Sequence, residues 1–515
     1  MITPEYLEYA VNRISFLYED LQDRIIEDVT ARLLATDFDI ADTAKWRIEK
    51  LQQSGMVFDD VLSRLSETTG KSNAELKRIF EDAGVEVFNY GDEVYKKLGM
   101  KSLSIKQAPA MLKVLKAGLK TTSGTMYNLV NTTALVTENE FIDACDLAHT
   151  MITSGAYSYN EAIVSAVERA GKAGAYVYYP TGHRDRVDVA SRRAVLSGLG
   201  KTVGKLNEMA CDELDCDLVE VTAHFNARPS HADWQGLVYS RSGKNKNYPN
   251  FAICGYGTGE GLLGWNCYHD FHPFFEGISE RAYSDLELSE MKNSRVTYNG
   301  YEMSGYEATQ VQRGIERSIR ESKRKLIAFN KGKANAGSNE LAAAFSQQYD
   351  KEALKLSKLN AKLHDFVEQT GFQKQYDRSR VIGFGRGEAQ RAVHGRKKEL
   401  QKQLEHDIIK EIKACGIQGA ISINPVSIDL SEYTFDDIHI NKDRKHGVTR
   451  DEAESYMHNA KFLATRWNGR FKNYYSVSGA VYIDADNKNI RTAFSAEEFS
   501  QEIIDALEVL KKYGK

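Results

Sequence analysis

The amino-acid sequence predicts a mixed, multidomain protein. It has mainly α-helical N-terminal and central regions, a loop-rich α+β insert, and a small C-terminal α+β domain with an antiparallel sheet. Three observations carry this expectation. Apolar residues recur at helical spacing over residues 1–210 and again over 301–413. Residues 211–300 break that texture with Gly, His, Cys and aromatic side chains. From 414 to 515 the segments become short and strand-like.

In the first region Leu7, Val11, Ile14, Leu17, Leu21 and Ile25 fall at spacings of three and four, one apolar stripe along a helix. A hydroxyl followed three residues later by Glu satisfies the free amides of a first helical turn. Ser72 with Glu75, Thr137 with Glu140, and Ser158 with Glu161 therefore mark expected helix starts. Over 211–300, VEVTAH and GLVYS read as short strands and the glycine clusters as tight loops. Over 301–413, GYEATQVQRGIERSIRESKRKLIAFNKGK reads as a basic helix. A second helix, LAAAFSQQYDKEALKLSKLNAKLHDFVEQ, ends at Gly371, and a Gly- and Arg-rich turn leads into a third.

In the last region ISINPVSIDL, FDDIHI, NYYSVSG, AVYIDADN and KNIRTAF read as strands. DEAESYMHNAKFLATRW is expected as a helix between them. A final helix, SAEEFSQEIIDALEVLKKYG, is expected to be capped by Ser495 and Glu498.

Composition narrows the class. The 515 residues are 42% hydrophobic and 27% charged with a net charge of −4, which is too small to argue for a dedicated nucleic-acid or membrane binder as a whole. No apolar run reaches the roughly 18 residues of a membrane span, and the acidic, amphipathic N-terminus is unlike a signal peptide. Six cysteines are too few for a disulfide scaffold and fit intracellular synthesis.

Three groups of residues can carry chemistry. The first is His224, Arg228, His231, Asp233 and Trp234, followed by Cys254, Cys267, His269 and His272. Zinc prefers imidazole and thiolate ligands, so Cys254, Cys267, His269 and His272 form a candidate metal set. Their spacing matches no standard zinc pattern. The first reading is therefore a buried polar network, with metal ligation and a Cys–His nucleophile as alternatives, and no cofactor is expected. The second group is GYGTGEGLLG. It lacks a following helix and a Lys-Ser/Thr pair, so a nucleotide loop is not expected.

The third group is His439, Arg444, His446 and Arg450, then Tyr474, Tyr475, Ser476 and Ser478, then Arg491 and Thr492. Metal-independent RNA cleavage needs a base for the 2′-OH, an acid for the leaving oxygen, and a cation for the phosphorane. These residue types supply all three. The alternative is an ordinary sheet surface.

The ordered blocks TAHFNARPSHADWQG, GLLGWNCYHDFHPF and YNGYEMSGYEATQVQRGIERSIR resemble the phage minor capsid protein 2 family over roughly residues 1–330. The resemblance implies a virion component made in the host cytoplasm and assembled with portal and major capsid proteins. It carries over Arg228, His231, Trp234, Gln235, Gly236, Asn266, Cys267, His269 and Pro273 as fold-defining residues. The C-terminal hundred residues resemble small nuclease-like domains of the barnase, EndoU, colicin and RelE-like class. That resemblance implies RNA as substrate and points to His439, His446, Tyr475, Ser476, Arg491 and Thr492. The expectation is a minor structural protein of a phage head carrying a ribonuclease-like effector. The alternatives are a purely structural protein with an inactive C-terminal domain, and a metal-dependent enzyme centred on Cys267 and His269. The basic helices around 313–333 and 378–402 suit packaged DNA, and equally suit a surface laced with ion pairs.

Overall fold

The computed structural model describes residues 2–38, 40, 43–97, 99, 109–179 and 181–515. The chain divides into two compact units, Met1–Arg396 and Lys397–Lys515.

The first unit is built on long helices. α1 (Pro4–Ala35) is started by Thr3, whose hydroxyl accepts from the amide of Tyr6, and by Pro4 in the first turn. Its stripe of Leu7, Val11, Ile14, Leu21 and Ile25 is buried, and Leu17 lies half-buried at the stripe's edge. α2 (Thr43–Lys97) and α3 (Pro109–Thr153) follow. Both run straight through two of the expected starts. Ser72 instead donates back to the Thr69 carbonyl (3.0 Å) and meets the Tyr18 hydroxyl (3.4 Å). Thr137 likewise donates to the Thr133 carbonyl (2.9 Å). A hydroxyl that bonds back along its own helix is tolerated in the interior, so the local pattern did not mark a boundary. The third expected start holds: α4 (Tyr159–Ala173) opens on the full Ser158–Glu161 capping box.

A small hairpin of β1 (Tyr176–Tyr178) and β2 (Arg184–Arg186) leads into α5 (Val187–Glu213). α3 and α5 cross very closely. A Cβ placed on Gly118 would meet Thr202 Oγ1 at 2.0 Å, and one on Gly198 would meet Thr122 Oγ1 at 2.1 Å. The Gly-x-x-x-Thr of each helix thus seats the threonine of the other.

The α+β insert follows. β3 (Leu218–Val221) is the middle strand of a three-stranded antiparallel sheet, between β4 (Val238–Ser240) and β5 (Phe271–Pro273). The short α6 (Pro229–Ala232) lies between β3 and β4. The insert has its own core of Val219, Val221, Trp234, Tyr239, Phe251 and Phe271, with Cys211, Cys254 and Cys267 buried among them. Then come α7 (Asp285–Asn293) and a hairpin of β6 (Arg295–Tyr298) and β7 (Tyr301–Ser304). α8 (Gly305–Ala334) and α9 (Asn339–Thr370) return to the helical core. α9 stops at Gly371 as expected, because its φ of +71° is a left-handed cap.

Much of the basic run on α8 faces inward. Arg324 is fully buried 3.6 Å from Asp23, and Lys325 pairs with Glu168 at 2.8 Å. Arg320 and Lys323 donate to the carbonyls of Arg378 and Ser379. These cations are thus held inside the unit by carboxylates and backbone carbonyls, not displayed on a solvated surface as the ion-paired reading expected. α1 is tied to the far end of the same unit: Arg378 donates to Glu8 (2.7 Å), and the Gly383 amide donates to Asp23 (2.8 Å).

α10 (Arg386–Ala414) crosses the division between the units. The second unit is a six-stranded sheet in the order β8-β10-β11-β12-β13-β9. The strands are β8 (Ala420–Ile423), β9 (Thr434–Phe435), β10 (Phe462–Arg466), β11 (Phe471–Tyr475), β12 (Gly479–Asp484) and β13 (Asn489–Ser495). All neighbours are antiparallel except the edge strand β9, which runs parallel to β13. α11 (Arg450–His458) covers one face over Tyr474, Val481, Ile483, Ile490 and Ala493. α12 (Gln501–Lys512) and the end of α10 cover the other over Phe462, Ala464, Tyr475 and Ala480.

Three expectations need correction here. The segment expected as one helix over 451–467 is α11 followed by β10, because FLATR pairs with β8 and β11. FDDIHI contributes only the short β9 before a wide helical turn at Ile438–Asp443. Ser495 ends β13 and makes no side-chain cap, and α12 begins later, at Gln501. Among the described residues, no helix is long and apolar enough to cross a membrane.

Candidate functional site

The sheet face under α12 is only partly covered, and its open part is the floor of a cleft of about 590 Å³. Paired residues of antiparallel strands share a face, so the register gives the floor directly. Asn473, Tyr482 and Thr492 form one row across β11, β12 and β13. Arg466 and Phe471 form the next row. Between β12 and β13 the register shifts. Tyr482 pairs with Thr492 and Ile483 with Ile490, which leaves Arg491 as the extra residue of a bulge. Bulges re-aim side chains, and here the guanidinium of Arg491 lies 5.1 Å from the centre of the Phe471 ring.

The walls come from outside the sheet. His439 lies on the helical turn at Ile438–Asp443, with Arg444 just after it. His446 packs its ring against Phe494 (5.6 Å), and its Nδ1 lies 2.8 Å from Glu498 Oε2. A carboxylate on Nδ1 holds a proton there and leaves Nε2 as the acceptor. Trp467 stands at the rim, 74% exposed. It sits in the hairpin turn after β10, where Trp467 and Asn468 have φ of +50° and +53° and the Gly469 amide donates to the Arg466 carbonyl. Gly469 follows with φ +92°, and this left-handed run suits Asn and Gly and strains a bulky aromatic residue. Asp484, which pairs with Phe471 on the same face, is gripped by Arg470, and this holds its carboxyl down at about 2.

The structure thus brings together His439, Arg444, His446, Arg491 and Thr492 of the expected set. Tyr475 and Ser476 lie elsewhere. Tyr475 stacks on Phe462 at 4.5 Å and donates to the Tyr482 hydroxyl (3.2 Å). Ser476 is fully buried and ties the β11–β12 turn through Gly479 and Ser478. Arg450 bonds to the Leu430 carbonyl and to Glu454. The sequence reading missed Arg466, Trp467, Phe471 and Glu498. The signal for the first three was the Asn-Gly pair between two strand-like runs.

The Cys/His block forms a second cluster, in the first unit. Cys267 Sγ lies 3.5 Å from His269 Nδ1 and 3.8 Å from His231 Nδ1, and the two Nδ1 atoms are 3.3 Å apart. All three residues are buried, with Trp234 and His224 packed against the imidazoles. His231 Nε2 bonds to the Glu260 carbonyl (2.8 Å), and His269 Nε2 bonds to Gln235 Oε1 (2.9 Å). Burial and the nearby Arg228 hold His231 at about 4 and push His269 well below the usual imidazole range. Burial pushes the Cys267 thiol up. His272 and Cys254, two of the four candidate ligands, are elsewhere: His272 faces Glu220 at 3.3 Å, and Cys254 packs in the insert's core. His231 takes a place in the cluster that the sequence reading had not given it.

Three more of the residues carried over by the resemblance have visible local contacts or conformations. Gly236 has φ +69° and Leu288 leaves no room for a Cβ on it, and Asn266 takes φ +52°. Arg228 bonds to the Trp265 carbonyl. In the glycine loop the amides of Thr258, Gly261, Leu262, Gly264 and Trp265 all bond inside Cys254–Trp265, so they cannot cradle a phosphate. The loop instead delivers the Glu260 carbonyl to His231.

The family model described as phage minor capsid protein 2 matches residues 2–368, and the match ends before the second unit begins. Two similar proteins are each named "Structural protein". One, from Lactococcus phage LL-H, is 24% identical over 394 residues, covering 71% of this chain and 97% of the relative. The other, from Lactococcus phage mv4, is 29% identical over 140 residues, covering 27% of this chain and 94% of the relative. No solved structure matches the chain.

Proposed function

The chain belongs to the phage minor capsid protein 2 family, and from that premise we propose a minor structural protein of a phage head that also binds and cleaves RNA through its second unit. Its partners in the particle are the portal and major capsid proteins. The observation that carries the RNA reading is the cleft, which gathers His439, Arg444, His446 and Arg491 with an exposed Trp467. Cations meet the phosphates, and an exposed aromatic ring offers a base a surface to stack on.

The chemistry needs no metal. His446 Nε2 accepts the 2′-OH proton, and Glu498 stabilises the imidazolium that results. The 2′ oxygen bonds to phosphorus as the bond to the 5′ oxygen breaks, and His439 in its protonated form gives that oxygen its proton. Arg491 and Arg444 offset the charge on the phosphorane. Thr492 lies on the floor as a hydroxyl that orients the phosphate.

The test uses the full purified chain with a single-stranded RNA, in the presence of chelator, beside DNA of the same sequence. Cleavage of RNA alone supports the reading, because only RNA supplies the 2′ oxygen. RNA left intact under single-turnover conditions overturns it. A second reading, a docking surface for another virion protein, is favoured by the exposure of Trp467. It predicts assembly defects for Trp467→Ala and no RNA binding by the wild-type chain. For packaged DNA, the exposed Lys397, Lys398 and Lys402 of α10 are better placed than the inward-facing cations of α8.

A further inference from the structure

From the arrangement of His231, Cys267 and His269 we infer a binding site for one zinc-class divalent cation in the first unit, held by two Nδ1 atoms and one thiolate. Geometry is the first support. A tetrahedral zinc with bonds of about 2.0–2.1 Å to nitrogen and about 2.3 Å to sulfur sets its ligands about 3.3–3.4 Å apart for two nitrogens. For nitrogen and sulfur the same geometry gives about 3.5–3.6 Å. The three edges here are 3.3, 3.5 and 3.8 Å, so three corners of the coordination tetrahedron stand in place.

The hydrogen bonds behind the imidazoles supply the second support. The His224 amide donates to Gln235 Oε1 (3.1 Å), which fixes that atom as the oxygen. His269 Nε2, 2.9 Å from the same oxygen, must then carry the proton. His231 Nε2 faces a backbone carbonyl and must carry its proton too. Both neutral rings therefore turn a bare Nδ1 lone pair toward the other. Two lone pairs at 3.3 Å repel unless a positive centre lies between them. The thiol has one hydrogen and can satisfy one nitrogen only. A cation satisfies all three at once, and the thiol proton leaves to solvent as the sulfur–metal bond forms. Outer partners that fix the tautomer of a ligand histidine are the usual companions of such sites. All three residues line a cavity of about 1050 Å³, which leaves the fourth position to solvent.

The test is titration of the chelator-treated full chain with Co²⁺. One equivalent binds, giving the intense visible bands of tetrahedral cobalt and a thiolate-to-cobalt charge-transfer band. Cys267→Ser abolishes the charge-transfer band, and Gln235→Leu weakens binding about 10–100-fold. Cys254→Ser, in the same core but outside the cluster, leaves the spectrum unchanged. Absence of a stoichiometric site in the wild-type protein overturns the inference. So does a site whose spectrum survives Cys267→Ser or is lost in Cys254→Ser. Because the wild-type chain alone can give the contrary result, a variant that fails to fold does not protect the inference.

Discussion

His446 and Glu498 meet at 2.8 Å across 52 residues of chain, one on the loop before α11 and the other just before α12. That bond orients the imidazole at the cleft. His446→Ala is expected to lower the RNA-cleavage kcat by about 10²–10⁴-fold with a smaller change in KM. Glu498→Gln keeps a hydrogen-bond acceptor but loses the charge, so its kcat falls less. Equal rates for wild type and His446→Ala would remove the histidine from the mechanism.

Trp467 separates binding from stability. Its strained φ of +50° is relieved by Gly, so Trp467→Gly is expected to leave the melting temperature unchanged or slightly higher. The same change weakens single-stranded RNA binding by about 1–3 kcal/mol, the value of one stacked base. Melting curves and fluorescence anisotropy on one preparation check both halves.

Arg491 is expected to act through charge. Arg491→Ala lowers the slope of log affinity against log salt by about 0.7, one phosphate contact on a single strand. An unchanged slope places the bulge cation away from the RNA backbone.

Glu19 makes the helical unit sensitive to pH. Burial, reinforced by Asp188, raises its carboxyl to about 8 in the folded protein. Between its ordinary value of about 4.5 and that value, the folded state holds a proton that the unfolded chain has released. Glu19 therefore adds stability at low pH and loses it as pH rises through this window. Asp23, raised to about 6, acts in the same direction. Urea midpoints measured from pH 5 to 8 should fall less steeply for Glu19→Gln than for wild type, and parallel curves would contradict the assignment.

The α3–α5 crossing gives a packing prediction. Gly118→Ala is expected to destabilise the first unit by about 1–3 kcal/mol, because its Cβ would overlap Thr202. Adding Thr202→Ala removes the overlap, so the double variant should recover part of that loss in denaturant unfolding.

The sequence made long helices legible wherever an apolar stripe ran into a true cap, as at Ser158 and Gly371. Ser72 and Thr137 misled because the same local pattern lets a hydroxyl bond back along a helix that tertiary packing keeps intact. The Trp467 hairpin was hidden by a helical-looking run whose second half is fixed by pairing with β8 and β11. In the candidate sites, types of residue were readable but neighbours were not. Tyr475 and Ser476 fell beside Arg491 in expectation, yet the first points into aromatic packing and the second into a turn. His231 joined Cys267 from 36 positions away, a distance along the chain that no spacing rule covers.

The bonds from Arg378 to Glu8 and from Gly383 to Asp23 bear on how the protein is made. α1 leaves the ribosome before these partners, which emerge about 360–370 residues later. At roughly 5–20 residues per second, that is a wait of roughly 20–75 s. Through that interval its apolar stripe must be sheltered by α2 and α3 or by a chaperone. Truncated chains ending before Arg378 are therefore expected to be prone to aggregation during synthesis.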